Sequence, residues 1–500
     1  MSDFQKKLGD LKGFVEESIK HWNVPGVALS IVKDGEVVLA EGFGFKDLEN
    51  KKPMTADTIM PIGSTTKSFT SMAAAILVEE GKLDWDAPVN EYIPNFKMFD
   101  PVASRLISVR DMLCHRGGMP RHDLMWAGGT GEAFTREDLV KRVRHLENNA
   151  QFREKAQYQN HMFATVGHVI ENITKKSWED FVKEKILKPL GMKDSNFQVS
   201  ESQKAPDHGL PYRHDKENKI TRAEFMELGA PGPAGSINST ANDMTNWMKL
   251  VLANGTFGET KIVSEEKLKE MQKPHMHYGI MPFEFPEVMF PSVGLGWFTD
   301  VYRGKKITHH GGNVSGFTAL CAFLPDENLG ICALVNMNSS FLTYALRNEI
   351  FDRALGISGG DWNKRYKDEI DKMIAEMEKG KKEAANAKVE NTKPTLELDK
   401  YLGEFLHPGY GKIIVEKNEE TGWFNGIFNG RALPLNHFNY DHFSLNLPTF
   451  DTDIPAKFAL GRKGDVESIA VMFEAAIGKE IVFTRKEEPK EESKEEKDGK

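Results

Sequence analysis

The chain has 500 residues, 40% of them hydrophobic and 28% charged, with a net charge of −9. That composition is globular and too long for one ordinary core, so two or three domains are expected. The acidic balance excludes a broad basic surface for phosphate backbones, and nucleic acid is not expected as a partner.

The opening residues MSDFQKKLGDLKG are too charged for a secretory h-region. Phe4, Leu8, Leu11, Phe14, Val15, Ile19 and Trp22 follow with the spacing of one apolar helix face. PGVALSIVKDGEVVLAEGFG then reads as two strands joined at Asp34-Gly35, a dipeptide suited to a tight hairpin. MPIGSTTKSFTSMAAAILVEEGK reads as a helix opening near Ser64 and stopping at Gly81. Its apolar run MAAAILV is too short to cross a bilayer, and no membrane span is expected. Residues 105–190 are mainly helical, with Thr135 as an N-cap ahead of acidic residues. Strand signals return in GFTALCAFLP and ICALVNMN, separated by a DENLG turn. An antiparallel sheet with strands from both ends and a helical block between is an α+β pattern.

Composition shifts near residue 360. The expected division is an α+β domain at 1–358, a charged helical linker at 359–395, a small all-β barrel or sandwich at 396–486, and a disordered charged tail at 487–500. Cys114, Cys321 and Cys332 form no metal-like pattern; no metal and no cofactor are expected, and a reducing, cytoplasmic setting is the simplest reading.

Three short stretches carry chemistry. Ser64 and Lys67 are spaced i, i+3, so on a helix they share a face about 5–6 Å apart. A serine hydroxyl needs a base to become a nucleophile, and a partly desolvated lysine can serve. The plain alternative for this stretch is a solvated helix start. Tyr158 and Asn160 stand just before an apolar helix; the phenol suits proton transfer and the amide can hold a lysine or a substrate carbonyl. The plain alternative is a loop edge. His310, Gly311 and Gly312 precede a strand, and the glycines allow close approach of backbone, including the N–H of Asn313, to a ligand. The alternative is a glycine turn with a surface histidine.

Taken in order, Ser-x-x-Lys, Tyr-x-Asn and His-x-Gly resemble the serine β-lactamase and penicillin-binding superfamily. More narrowly they resemble its class C β-lactamase-related esterases, D-aminopeptidases and other serine hydrolases. VPGVALSIVKDGEVVLAEGFGFKD looks like that group's opening hairpin, and SVRDMLCHRGGMP, PAGSINSTANDMTNWM and VGLGW resemble further family stretches. Arg116 and Gly117 depart from the usual Thr-Ser. The resemblance spans roughly residues 10–350, and 396–486 looks like the lipocalin-like domain appended to some members.

The resemblance implies a β-lactamase/transpeptidase-like fold, with an antiparallel sheet flanked by helices and a helical subdomain. It further implies that Ser64 forms an acyl-enzyme and that Lys67 and Tyr158 handle its proton. Asn160 would hold Lys67 and the substrate amide, and the N–H groups of Ser64 and Asn313 would bind the oxyanion. His310 stands where many members carry a lysine. A neutral histidine captures a carboxylate less well, which favours esters, amides or D-amino-acid peptides over penicillins. The runner-up activity is a β-lactamase or DD-peptidase, and the rival from another class is an inactive binding or scaffold protein. A homo-oligomer is a further expectation.

Other features have plainer readings. Met281, Phe283, Phe285, Met289 and Phe290 form an apolar segment broken by prolines, suited to lining an acyl pocket or to packing on a core. His309 reads as structural, and Cys114 lies within a structural stretch of the family.

Overall fold

The computed structural model describes residues 3–127, 134–279, 283–386, 388–447 and 452–487. Met281 and the tail beyond residue 487 lie outside them. The chain divides into two compact units: Met1–Arg121 with Phe134–Lys379, and His122–Ala133 with Gly380–Lys500.

The first unit is built on an antiparallel sheet, and the α+β expectation holds. Its strand order is Met276–His277, Val288–Val293, Phe298–Tyr302, Lys305–Val314, Phe317–Leu324, Leu329–Val335, Gly26–Lys33, Glu36–Asp47, Lys52–Pro53. Gly26–Lys33 is an interior strand buried on both faces, which is why its sequence is a continuous apolar run. Val27, Leu29 and Ile31 pack with Leu11, Val15, Leu346 and Ile350 on one side. The turn after it has positive φ at both Asp34 (54°) and Gly35 (81°), the conformation that two-residue hairpins require.

The helical block is capped as its sequence suggests. Thr135 accepts from the Asp138 N–H at 3.1 Å, closing a capping box at the start of Arg136–Arg142. The Ser64 stretch forms a 3-10 turn, Gly63–Thr65, that runs into the helix Thr66–Glu79, with Gly81 at φ 68° just beyond.

Two features differ from the sequence reading. The proline-broken segment contributes the strand Val288–Val293, whose register slips between Met289 and Ser292, around Pro291. A proline has no N–H to give a ladder and is tolerated at such an irregularity. The charged segment is a continuous helix, Trp362–Asn386, but its start is not linker-like. Trp362 and Tyr366 are buried in the core of the first unit, past the expected boundary at 358. The Trp362 indole N–H donates to Asp352 at 2.8 Å. Its polar neighbours Asn363, Lys364 and Arg365 hid that anchor in the sequence.

The second unit contains a closed barrel of eight strands in sequential order, from Gly403–His407 to Ile481–Arg485, sealed by the pairing of Phe405 with Arg485. Barrels of this size have just enough interior for side chains. Rings fill it: Tyr401 meets Phe458 at 5.0 Å and Phe424 meets Phe443 at 5.4 Å. His122 belongs to this unit, its ring hydrogen-bonded to the Tyr410 hydroxyl at 2.7 Å and its N–H donating to Glu474 at 2.7 Å. Among the described residues no helix is long and apolar enough to cross a membrane.

Truncating a fully buried aromatic side chain costs about 3–5 kcal/mol. Trp362→Ala is therefore expected to destabilise the first unit by about that much, read as a shift in its urea unfolding transition with the barrel transition unchanged. A negligible shift would place Trp362 outside the cooperative core.

Candidate active site

The polar start of the Ser64 helix is not solvated. Thr65, Thr66, Lys67, Ser68, Thr70 and Ser71 are all buried. Each hydroxyl has a partner: Thr65 donates to the His310 carbonyl (3.2 Å), Thr70 to that of Pro233 (2.6 Å) and Ser71 to that of Leu295 (2.6 Å). Ser68 donates back to the Thr65 carbonyl at 2.8 Å, and Thr66 accepts from the Ile237 N–H at 3.1 Å. The hydroxyls thus tie the helix to each neighbouring segment and satisfy the polar groups that burial would otherwise penalise.

Lys67 sits within this frame at zero exposure. Its Nζ lies 3.0 Å from Ser64 Oγ, 2.7 Å from Asn160 Oδ1 and 2.8 Å from the Ala234 carbonyl oxygen. Three N–H bonds of an ammonium thus meet three oxygens from three parts of the chain. Asn160 is the first residue of the helix Asn160–Thr174. Tyr158, two residues earlier, turns its ring toward the lysine, with Nζ 4.7 Å from the ring centroid; Arg121 lies 4.9 Å from the same ring.

Glycines bring the His310 strand against Ser64. A Cβ on Gly312 would lie 1.9 Å from the Ile62 carbonyl oxygen and 2.8 Å from the Ser64 nitrogen. A Cβ on Gly63, itself at φ 50°, would lie 2.8 Å from the Asn313 nitrogen. Only residues without side chains permit this approach, which sets the Ser64 and Asn313 amides in one small space. The Asn313 side chain is held away by Thr318, whose hydroxyl donates to Oδ1 at 3.0 Å.

His310 is buried, with Nδ1–H donating to the Gly311 carbonyl at 2.6 Å. Burial, and next the Lys67 charge, push its pKa down to about 3, so the ring is neutral at pH 7. The sequence reading gave no role to His115, which the structure places beside Tyr158 with ring centroids 4.6 Å apart. Its carbonyl accepts from Gln157 N–H at 2.7 Å and its Nδ1 from Gln159 N–H at 3.0 Å, gripping the tyrosine's loop on both sides. Burial first, then Lys67, His310 and Arg121, hold this imidazole well below the ordinary histidine range. The signal for it was its place in SVRDMLCHRGGMP, where it adopts φ 62°.

These groups open onto a cavity of ≈ 420 Å³ that Ser64, Tyr158, His310, Gly312 and Asn313 all line. Phe283 and Phe285 line it too, as the apolar-segment reading anticipated, whereas Met289 and Phe290 are exposed elsewhere. His309 also lines it, its Nε2 2.8 Å from Asp300. Arg116, a departure from the family pattern, donates to the buried Asp111 at 2.6 Å, and Arg153 joins at 2.9 and 2.8 Å. Burial opposes ionisation of Asp111, but these bonds outweigh it and keep the carboxyl below its usual range. Burial pushes the Cys114 thiol up to about 12, unlike an activated nucleophile.

Residues 11–351 match the beta-lactamase family. The chain belongs to that family of serine hydrolases. Residues 387–485 match a domain of unknown function, DUF3471. The chain is similar to unguisins hydrolase ungD' of Aspergillus campestris, 27% identical over 500 residues, covering 96% of this chain and 92% of that protein. Among solved structures it shares its fold with the octameric penicillin-binding protein homologue from Pyrococcus abyssi, at TM-score 0.63, 24% identity and coverage of 95% and 100%. It likewise shares the fold of D-amino acid amidase from Ochrobactrum anthropi SV3, at TM-score 0.59, 24% identity and coverage of 71% and 98%.

The depressed pKa of His310 makes a stability prediction. The unfolded ring takes up a proton near pH 6.5 and the folded ring only near 3, so stability falls as pH drops through that window. Between pH 7 and pH 5 the linkage amounts to about 2 kcal/mol. The wild type is expected to lose that much more than His310→Asn in urea denaturation at the two pH values. Equal losses would mean that His310 is not held neutral.

Proposed function

We propose that this member of the beta-lactamase family hydrolyses amides, esters or D-amino-acid peptides through an acyl-enzyme at Ser64. The single observation that carries the reading is the Lys67 Nζ at 3.0 Å from Ser64 Oγ, fixed at the same time by Asn160 and the Ala234 carbonyl. With its proton lost, that nitrogen accepts from the Ser64 hydroxyl and activates it. Tyr158, whose ring borders the lysine, is the second group in proton transfer, and the two act as a coupled pair.

In the first step Ser64 Oγ bonds to the substrate carbonyl carbon as its proton passes to the Lys67–Tyr158 pair. The carbonyl oxygen gains the negative charge and is stabilised by the N–H groups of Ser64 and Asn313, whose approach the two glycines permit. The tetrahedral species collapses, the leaving amine or alcohol takes the proton, and Ser64 keeps the acyl group. Water then repeats the sequence in reverse and frees the acid. Amide hydrolysis among these is supported by the hydrolase and amidase names of the relatives above. Self-association is supported by the octameric assembly of the Pyrococcus homologue, and sedimentation velocity tests it.

A fluorophosphonate is expected to add once to the wild type and not to Ser64→Ala, read as intact-protein mass. Lys67→Met should slow adduct formation and D-amino-acid p-nitroanilide turnover by about 10²–10⁴-fold, the usual contribution of a positioned base. A well-folded wild type that forms no adduct would overturn the reading.

A neutral His310 offers no cation to a β-lactam carboxylate. Nitrocefin is therefore expected to be hydrolysed far more slowly than an activated ester in parallel steady-state assays. Comparable kcat/KM values for the two would contradict the substrate assignment.

A further inference from the structure

The cavity beyond Ser64 has an unusual charge balance. Its described lining residues include two arginines, Arg121 and Arg347, and no carboxylate. Arg347 lies on the helix Leu342–Ala354 and is 1% exposed. Its Nε donates to Asn348 Oδ1 at 2.9 Å, its guanidinium lies 5.0 Å from the Tyr344 ring centroid, and the Tyr366 hydroxyl is a hydrogen-bonding neighbour. Nη1 is buried without a hydrogen-bond partner.

The buried carboxylates of this region are engaged elsewhere. Asp300 faces His309 at 2.8 Å. Asp352 accepts from the Tyr302 hydroxyl (2.7 Å), Arg303 Nε (2.6 Å) and the Trp362 indole (2.8 Å). Among the described residues none comes within ion-pairing distance of Arg347. A buried guanidinium lacking a counter-ion is costly, and its planar fork is shaped for a carboxylate. A second buried polar atom on the same cavity lining also lacks a partner, His309 Nδ1. The surrounding wall is aromatic: Phe283 meets Phe341 at 5.0 Å and Phe285 meets Tyr366 at 4.9 Å.

We infer that the Arg347 end of this cavity is a binding subsite for a carboxylate borne on an aromatic or apolar group, with Arg347 as the residue that pairs with it. The inference rests on the Ser64 reading only in assigning that carboxylate to the substrate; binding itself does not need the nucleophile. The rings take the apolar body of the ligand, and the guanidinium gains the anion that the protein does not supply. An acyl group or peptide carrying a carboxylate at a distance from the scissile carbonyl is the substrate class that fits.

The test compares 3-phenylpropionate with 3-phenylpropionamide, which share a body and differ in charge, by isothermal titration calorimetry on the full chain. The carboxylate is expected to bind at least tenfold more tightly to both wild type and Ser64→Ala. Arg347→Met should abolish the preference, Arg347→Lys should keep part of it, and Arg121→Met should retain it. Equal binding of the two probes by wild type would overturn the subsite, as would a preference that survives Arg347→Met and disappears in Arg121→Met. Should Arg347→Met fail to fold, a crystal structure of Ser64→Ala with 3-phenylpropionate decides. A carboxylate on Arg347 supports the inference, and one placed elsewhere overturns it. A missing fluorophosphonate adduct would remove the Ser64 reading and leave this binding result standing.

Discussion

The arrangement depends on one buried ammonium. Lys67 has no exposure, and taking a lysine out of water is tolerable only when its N–H bonds find acceptors. The oxygens that meet it come from Ser64, Asn160 and Ala234. Those residues lie on the turn Gly63–Thr65, at the start of the helix Asn160–Thr174, and at the end of the 3-10 turn Gly232–Ala234. None of the three can drift without leaving a buried donor unsatisfied. The same requirement that makes the lysine costly therefore fixes the serine beside it. The neighbouring hydroxyls extend the constraint, since Thr65, Thr70 and Ser71 each donate to a different segment.

That charge also sets the state of the rings around it. His115 and His310 are both buried, and both have their pKa lowered first by burial and then by Lys67. Each is neutral, with its tautomer set by a backbone partner. Nδ1 of His310 gives its proton to a carbonyl, and Nδ1 of His115 receives one from an amide. A neutral His115 is what lets its ring nitrogen accept from Gln159 and hold the Tyr158 loop. Were it protonated, the acceptor would become a donor facing a donor.

Much of this was legible in the chain, for identifiable reasons. The hairpin at Asp34-Gly35 is a local steric matter, and sequence states it directly. Ser64, Lys67, Tyr158, Asn160, His310, Gly312 and Asn313 were found because three weak motifs occur in one order, and the fold brings all seven to one place. The roles given to them remain proposals. What sequence could not convey was burial of polar residues. STTKSFTS has the composition of a solvated helix start, yet its hydroxyls and its lysine are enclosed because their partners arrive from residues 233, 237, 295 and 310. Arg347 was invisible for the same reason: in LTYALRNEIF it reads as an ordinary surface charge. Trp362 was missed because one anchor amid charged residues gives no periodic signal.

The distribution of positive charge in this chain fits a neutral histidine at position 310. A lysine there would meet the two effects that already hold the imidazole neutral: full burial, and the field of Lys67. Two ammonium groups in one dry space would compete for the same few oxygens, with no carboxylate among the described cavity-lining residues to separate them. A neutral ring avoids that competition and leaves Lys67 to its three acceptors. The remaining cations on the cavity wall are guanidiniums held on other segments: Arg121 stacks over Tyr158, and Arg347 over Tyr344. Delocalised charge against aromatic faces is the less costly way to keep a cation in an apolar cavity. The site thus separates its cations by place. A lysine stands beside Ser64, and arginines stand at the walls.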